Sequence, residues 1–227
     1  MQSMNNAPLG ILGGTFDPIH CAHLELACEV RAALRLAAVR LIPAGDPPHR
    51  AAPVATAAQR LAMVELAVEG IADLEADGRE IDRPGRSYTV VTLESLRDEA
   101  PDRPLALIVG ADAFLGFPEW HRWQDLFLLA HVVVVMRPGN VLGDTLPPAL
   151  AAEWGRRHTT DAVMLHTQPA GAIFVQAITP HDISASSIRA QLARGTPGIN
   201  AVRGLLPPAV LAYIDRNKIY RPRSDAT

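Results

Sequence analysis

Gly13-Gly14-Thr15-Phe16-Asp17-Pro18-Ile19-His20-Cys21-Ala22-His23 follows a brief apolar run, Leu9–Leu12, and leads into a segment with helical spacing. The apolar run reads as a buried strand, and the two glycines as the tight turn that ends it. Glycines at that place let the backbone turn sharply and come close to a ligand. From about Ala22 to Leu34, Leu24, Ala27 and Cys28 fall on one face, which predicts an amphipathic helix. A helix starting just after such a turn presents unpaired N–H groups and the positive end of its dipole, a natural seat for phosphate. His20 and His23, three residues apart, would project from one side of the first turn and donate to the same polyphosphate. Both imidazoles are expected to face an open, solvent-filled cleft. Metal ligation by the pair is disfavoured, because no neighbouring Cys or His cluster completes a site.

Outward from this turn the pattern repeats. Val39–Ile42, Leu105–Val109 and His131–Met136 read as further buried strands, and Ala172–Val175 as a fifth. Thr56 reads as the cap of a helix running to Gly70, with Leu61, Val64 and Val68 on one stripe. Ser87 reads as the cap of another, running to about Glu99, and two helices, about Ser186–Arg194 and Pro208–Arg216, finish the chain. Strands separated by helices imply right-handed crossovers and an α/β, Rossmann-like fold with a parallel sheet. In such sheets ligands lie beyond the carboxyl ends of the strands.

Composition narrows the function. The 227 residues are 48% hydrophobic and 20% charged, enough for a sizeable core, with a net charge of −3. The Lys and Arg residues are scattered, which disfavours a nucleic-acid partner. No apolar run approaches the roughly 18 residues of a membrane span, and Met1 to Pro8 lack the build of a signal peptide. Cys21 and Cys28, two helical turns apart, would be separated by about 10 Å along the axis, so free thiols and a reducing, cytoplasmic setting are expected.

A second element is Ile183-Ser184-Ala185-Ser186-Ser187-Ile188-Arg189, at the start of a late helix. Serines there are ordinary caps. Arg189 in a first turn opposes the helix dipole, and a cation there makes best sense facing an anion.

The first stretch resembles the signature of the HIGH-motif nucleotidyltransferases, Gly-x-Phe-Asp-Pro-x-His-x-Gly-His, with Ala22 where the family has Gly. The second resembles that family's Ile-Ser-Ser-Thr-x-x-Arg, with Ala185 and Ser186 in place of Ser and Thr. Pro47-Pro48-His49-Arg50, Ser87-Tyr88-Thr89, Gly110-Ala111-Asp112, Phe117-Pro118-Glu119-Trp120-His121 and Arg137-Pro138-Gly139 follow in an order similar to that of the bacterial nicotinate-mononucleotide adenylyltransferase family. The resemblance runs from about Leu9 to Tyr220 and thins between Asn140 and Ala170.

It implies a single nucleotidyltransferase domain over 1–227, with a helical part at about 184–220 closing the ATP site. ATP would be bound by Gly13, Gly14, Thr15, Phe16, His20, His23, Asp112, Ser184, Ser186, Ser187 and Arg189. Nicotinate mononucleotide would be bound by His49, Arg50, Tyr88, Thr89, Trp120, His121 and Arg137. His20, His23 and Arg189 would be catalytic, and Mg²⁺ would be carried mainly by the ATP phosphates. Three alternatives stay open on sequence alone. The nearest is a phosphopantetheine adenylyltransferase, which is typically shorter, and a cytidylyltransferase is a weaker one. The third is a sensor that binds ATP without turnover, which Ala22 and Ala185 would suit.

Overall fold

The computed structural model describes residues 7–47, 52–139, 142 and 146–221. Among them the strands are β1 (Leu9–Gly14), β2 (Ala38–Pro43), β3 (Leu74–Ala76), β4 (Leu105–Gly110), β5 (His131–Met136), β6 (His158–Thr159) and β7 (Ile173–Ala177). The first helices are α1 (Cys21–Leu34), α2 (Ala57–Val68), α3 (Arg79–Asp82), α4 (Thr89–Glu99), α5 (Ala111–Leu115) and α6 (Leu126–Leu129). They are followed by α7 (Pro148–Arg157), α8 (Met164–Thr167), α9 (Ala185–Leu192), α10 (Thr196–Ala201) and α11 (Pro208–Arg216).

The strands form one sheet in the order β3-β2-β1-β4-β5-β7-β6, and every neighbouring pair is parallel. Uninterrupted apolar runs suit β1, β4 and β5, because both faces of a parallel sheet are covered. Ile11, Leu107 and Val134 turn to one face, where α4 and α6 bring Leu93, Leu96 and Phe127. Leu12, Ile108 and Val133 turn to the other, beneath Ala27 of α1, Val64 of α2, Ile188 of α9 and Ile214 of α11.

From β1 the chain steps outward to β2 and β3, then returns to lay β4 against the other side of β1. The reversal leaves a crevice above the carboxyl ends of β1 and β4, the place where such sheets hold ligands. The Gly13-Gly14 turn and Gly110-Ala111-Asp112 both open onto it.

The structure alters some details. α4 begins at Thr89 with Tyr88 as its cap residue, so Ser87 is not the cap. α9 begins at Ala185 and ends at Leu192, with the Ser184 hydroxyl accepting from the Ser187 N–H at 3.2 Å. The edge strands β3 and β6, unmarked by any apolar run, complete the sheet.

Candidate active site

His20 caps α1 with extended backbone, φ −144° and ψ 170°. Its backbone N–H donates to Nδ1 of His23 at 3.3 Å. The two imidazoles stack with centroids 3.7 Å apart and planes inclined by 23°, and Phe16 meets His23 edge-on at 5.1 Å. His20 is therefore covered rather than facing an open cleft, 5% exposed, and among the described residues its Nδ1 has no partner, whereas His23 is only half-buried. The reason is local, since residues three apart on a first turn touch each other, and Phe16 folds back beneath them.

Burial pushes His20 down to about 4. Burial, and then repulsion from His20, push His23 down to about 3. Both rings are neutral at pH 7. Because Nδ1 of His23 already accepts a hydrogen bond, the single proton of that ring sits on Nε2, which makes Nε2 a donor.

The turn leading into α1 is held from three directions. The Asp17 carboxylate is 5% exposed and accepts from the backbone N–H groups of Val54 at 2.8 Å and Ala55 at 3.0 Å. It also accepts from the Tyr220 hydroxyl at 2.7 Å. Arg189, on α9, donates from Nη1 to the Asp17 backbone carbonyl at 2.7 Å. The late serine-rich element thus docks directly onto the early glycine-rich one. Ser184 and Ser186 hydroxyls lie 3.3 Å apart at the start of α9.

Gly13 is exposed at the tip of β1, while Gly14 and Thr15 are half-buried. The Phe16 ring is 3% exposed and belongs to the core. Beneath the turn lies Arg60 of α2, 1% exposed, donating from Nη1 to the Thr15 carbonyl at 2.8 Å and from Nη2 to the Gly45 carbonyl at 3.0 Å. Burial pulls its guanidinium below the usual range, and Asp17, Tyr220 and Glu80 oppose that.

The other side of the crevice carries the aromatic residues. Tyr88 and His121 rings lie 4.4 Å apart. Trp120 is half-buried and rests on Phe117 at 4.7 Å, so part of its surface remains free. Thr89 opens α4, where backbone N–H groups lack helical acceptors. The Ser87 hydroxyl accepts from the N–H groups of Gly45 at 2.8 Å and Asp46 at 3.2 Å, fastening the loop after β2 to the start of α4. Asp112 lies exposed in the first turn of α5, and Arg137 is exposed just past β5. His49 and Arg50 lie outside the described residues. No three His, Cys, Asp or Glu residues among the described ones converge to hold a metal ion.

Sequence reasoning assigned no role to Arg60, gave Asp17 and Tyr220 none beyond their places in the resemblance, and read Ser87 as a helix cap. A signal for Arg60 was present, since it lies four residues after the cap Thr56 on the stripe that also carries Met63, Val64 and Ala67. An arginine among buried positions needs partners, and here they are two loop carbonyls.

The cytidylyltransferase-like family model matches residues 11–191. A "Probable nicotinate-nucleotide adenylyltransferase" of Laribacter hongkongensis is 48% identical over the full length of both chains. The protein of the same name from Dechloromonas aromatica is 50% identical, over 94% of this chain and 98% of that one. The solved structure of Plasmodium falciparum nicotinic acid mononucleotide adenylyltransferase complexed with NaAD matches with a TM-score of 0.70 at 15% identity. That match covers 94% of this chain and 97% of the other, and it speaks to the fold.

Proposed function

Because the chain belongs to the cytidylyltransferase-like family and, within it, to the nicotinate-nucleotide adenylyltransferases, we infer that it transfers the adenylyl group of ATP to nicotinate mononucleotide. The products are nicotinate adenine dinucleotide, on the route to NAD, and pyrophosphate. The observation that carries this reading is the docking of Arg189 onto Asp17 beside the His20–His23 pair, which gathers both phosphate-handling motifs at the crevice.

In the reaction a phosphate oxygen of the mononucleotide attacks the α-phosphorus of ATP in line, and the bond from that phosphorus to the bridging oxygen breaks. The attacking phosphate is already an anion, so no general base is needed. Positioning and charge stabilisation do the work. Nε2–H of His23 is a neutral donor for the charge that grows on the α-phosphoryl group, and His20 lies against it. Arg189 uses one of its donors on Asp17, and its others serve the departing pyrophosphate. Backbone N–H groups at the starts of α1 and α9 complete the phosphate seat, together with Ser184, Ser186 and Ser187.

Gly13, Gly14, Thr15 and Phe16 shape the turn under the nucleotide, and Asp112 accepts from its ribose. On the acceptor side Trp120 offers a face to the pyridine ring beside Tyr88, Thr89 and His121. Arg137, with His49 and Arg50, takes the mononucleotide phosphate. Mg²⁺ carried by the ATP phosphates would neutralise charge on the leaving group. The whole chain acts as one domain, with 184–220 closing the ATP site. We propose a cytoplasmic setting, which the free thiols of Cys21 and Cys28 suit.

The test is product analysis after incubation with ATP, Mg²⁺ and a panel of mononucleotides. Dinucleotide and pyrophosphate are expected, with kcat/KM for nicotinate about 10- to 100-fold above that for nicotinamide. A carboxylate accepts from two N–H groups near Thr89 and His121, whereas an amide leaves one donor unpaired at a cost of about 1–3 kcal/mol. ATP binding without dinucleotide from any pyridine mononucleotide would leave a sensor. Equal rates for acid and amide would refute the proposed acceptor pocket.

A further inference from the structure

Arg60 reaches no substrate-facing surface, yet its planar fork joins two loops that part company at the crevice. Thr15 lies one residue beyond β1, and Gly45 two residues beyond β2. The strands are adjacent, with Gly14 opposite Pro43, and the Ala44 N–H donates to the Gly14 carbonyl at 2.9 Å. Past that bond the two chains diverge, one toward His20 and one toward the acceptor side. Arg60 spans the divergence, holding the Thr15 and Gly45 carbonyls with one guanidinium. Gly45 is in turn held by the Ser87 hydroxyl, next to Tyr88 and Thr89. No side chain fits at Gly45, since a Cβ there would overlap the Glu80 carbonyl. One line of hydrogen bonds therefore runs from the ATP turn through Arg60 and Gly45 to the start of α4.

We propose that Arg60 is a positioning residue that fixes the distance between the ATP turn and the acceptor half of the site. The inference rests on the adenylyl-transfer reading, because only a two-substrate reaction makes that distance matter for rate. The charge alone does not suffice: a lysine keeps the charge, but it presents a point donor rather than a rigid fork and cannot hold two carbonyls in one plane.

The experiment compares wild type with Arg60→Lys, Ser87→Ala and the double variant. It reads kcat, both KM values, ATP affinity in the absence of acceptor, and the thermal midpoint. A misplacement of about 1 Å costs on the order of 100-fold in rate, so Arg60→Lys is expected to lower kcat by about tenfold or more while binary ATP affinity stays within about threefold. Ser87→Ala, which keeps the helix start and empties only the hydroxyl, is expected to lower kcat in the same manner. The double variant should lose less than the product of the two single losses, because both act on one line. Wild-type kcat in folded Arg60→Lys, with only the thermal midpoint lowered, would reduce Arg60 to a structural residue and overturn the proposal. A parallel fall in ATP affinity and kcat would overturn it too, as would multiplicative losses in the double variant. Absence of dinucleotide from wild type itself would instead bring down the functional reading, and this inference with it.

Discussion

Asp17→Ala should cost the protein a large share of its stability. The carboxylate serves three donors, and two of them are out of reach of water: Ala55 is 2% exposed and Tyr220 7%. Val54 is 62% exposed, so its N–H can turn to solvent and adds little. Hydrogen bonds to a charged group contribute about 1.5–3 kcal/mol each, which puts the loss of the two buried ones at about 3–6 kcal/mol. Whole domains are stable by only about 5–15 kcal/mol. Urea unfolding followed by circular dichroism measures the change directly. Asp17→Asn should lose about 1–3 kcal/mol, since its carbonyl oxygen can still face Ala55 and Tyr220 while its amide opposes Val54. Tyr220→Phe should cost little once Asp17 is already alanine, because the partner is gone. A loss below about 1 kcal/mol for Asp17→Ala, or full additivity with Tyr220→Phe, would refute the account of Asp17 as the buried acceptor that joins these segments.

Three further outcomes are expected. His23→Ala and His20→Ala should lower kcat more than they weaken acceptor binding. Loss of one donor to transition-state charge costs about 2.7–4 kcal/mol elsewhere, and near-normal kcat in the folded double variant would contradict the assignment. Stability should fall with pH over a defined window. The unfolded chain takes up protons near 6.5, and folded His20 only near 4, so its contribution is complete above 6.5, drains away as pH drops toward 4, and is flat below. At about 1.36 kcal/mol per unit this is on the order of 3 kcal/mol. His20→Asn, a good cap residue that does not titrate, should make the urea-unfolding profile shallower in that window, with His23 keeping its own share, and an unchanged slope would show that burial of His20 is not a cause. Trp120→Ala should raise KM for the mononucleotide about tenfold or more and leave KM for ATP nearly unchanged, since stacking on a base contributes roughly 1–3 kcal/mol. An unchanged acceptor KM would return Trp120 to plain packing against Phe117.

What could be read from the chain alone followed from burial on both faces. β1, β4 and β5 lie in the middle of the sheet, and their apolar runs declare them. β3 (Leu-Glu-Ala) and β6 (His-Thr) sit at the two edges, where one partner and one covered face suffice, so no apolar run marks them. The glycine-rich turn and the serine-rich helix start were legible as a strand-ending turn and a helix start because each is a local device. Ser87 shows the limit. A serine just before a helix looks like its cap, but the hydroxyl serves backbone 41 and 42 residues away, and nothing in the neighbouring sequence records that. The burial of His20 escaped for the same reason: spacing puts two rings on one side of a turn, and only packing decides how far each meets solvent or the other.

The ties on Asp17 also bear on the order in which the molecule comes together. Its partners lie 37 and 38 residues ahead for Val54 and Ala55, but 172 for Arg189 and 203 for Tyr220. Each of the last two closes a loop spanning most of the chain, and contacts of such separation form late because the entropy of closing the loop must be met first. The inner strands can pair while the turn above β1 still lacks its ties to α9 and Tyr220. Closure of the turn above β1 is therefore expected after the body of the sheet has paired.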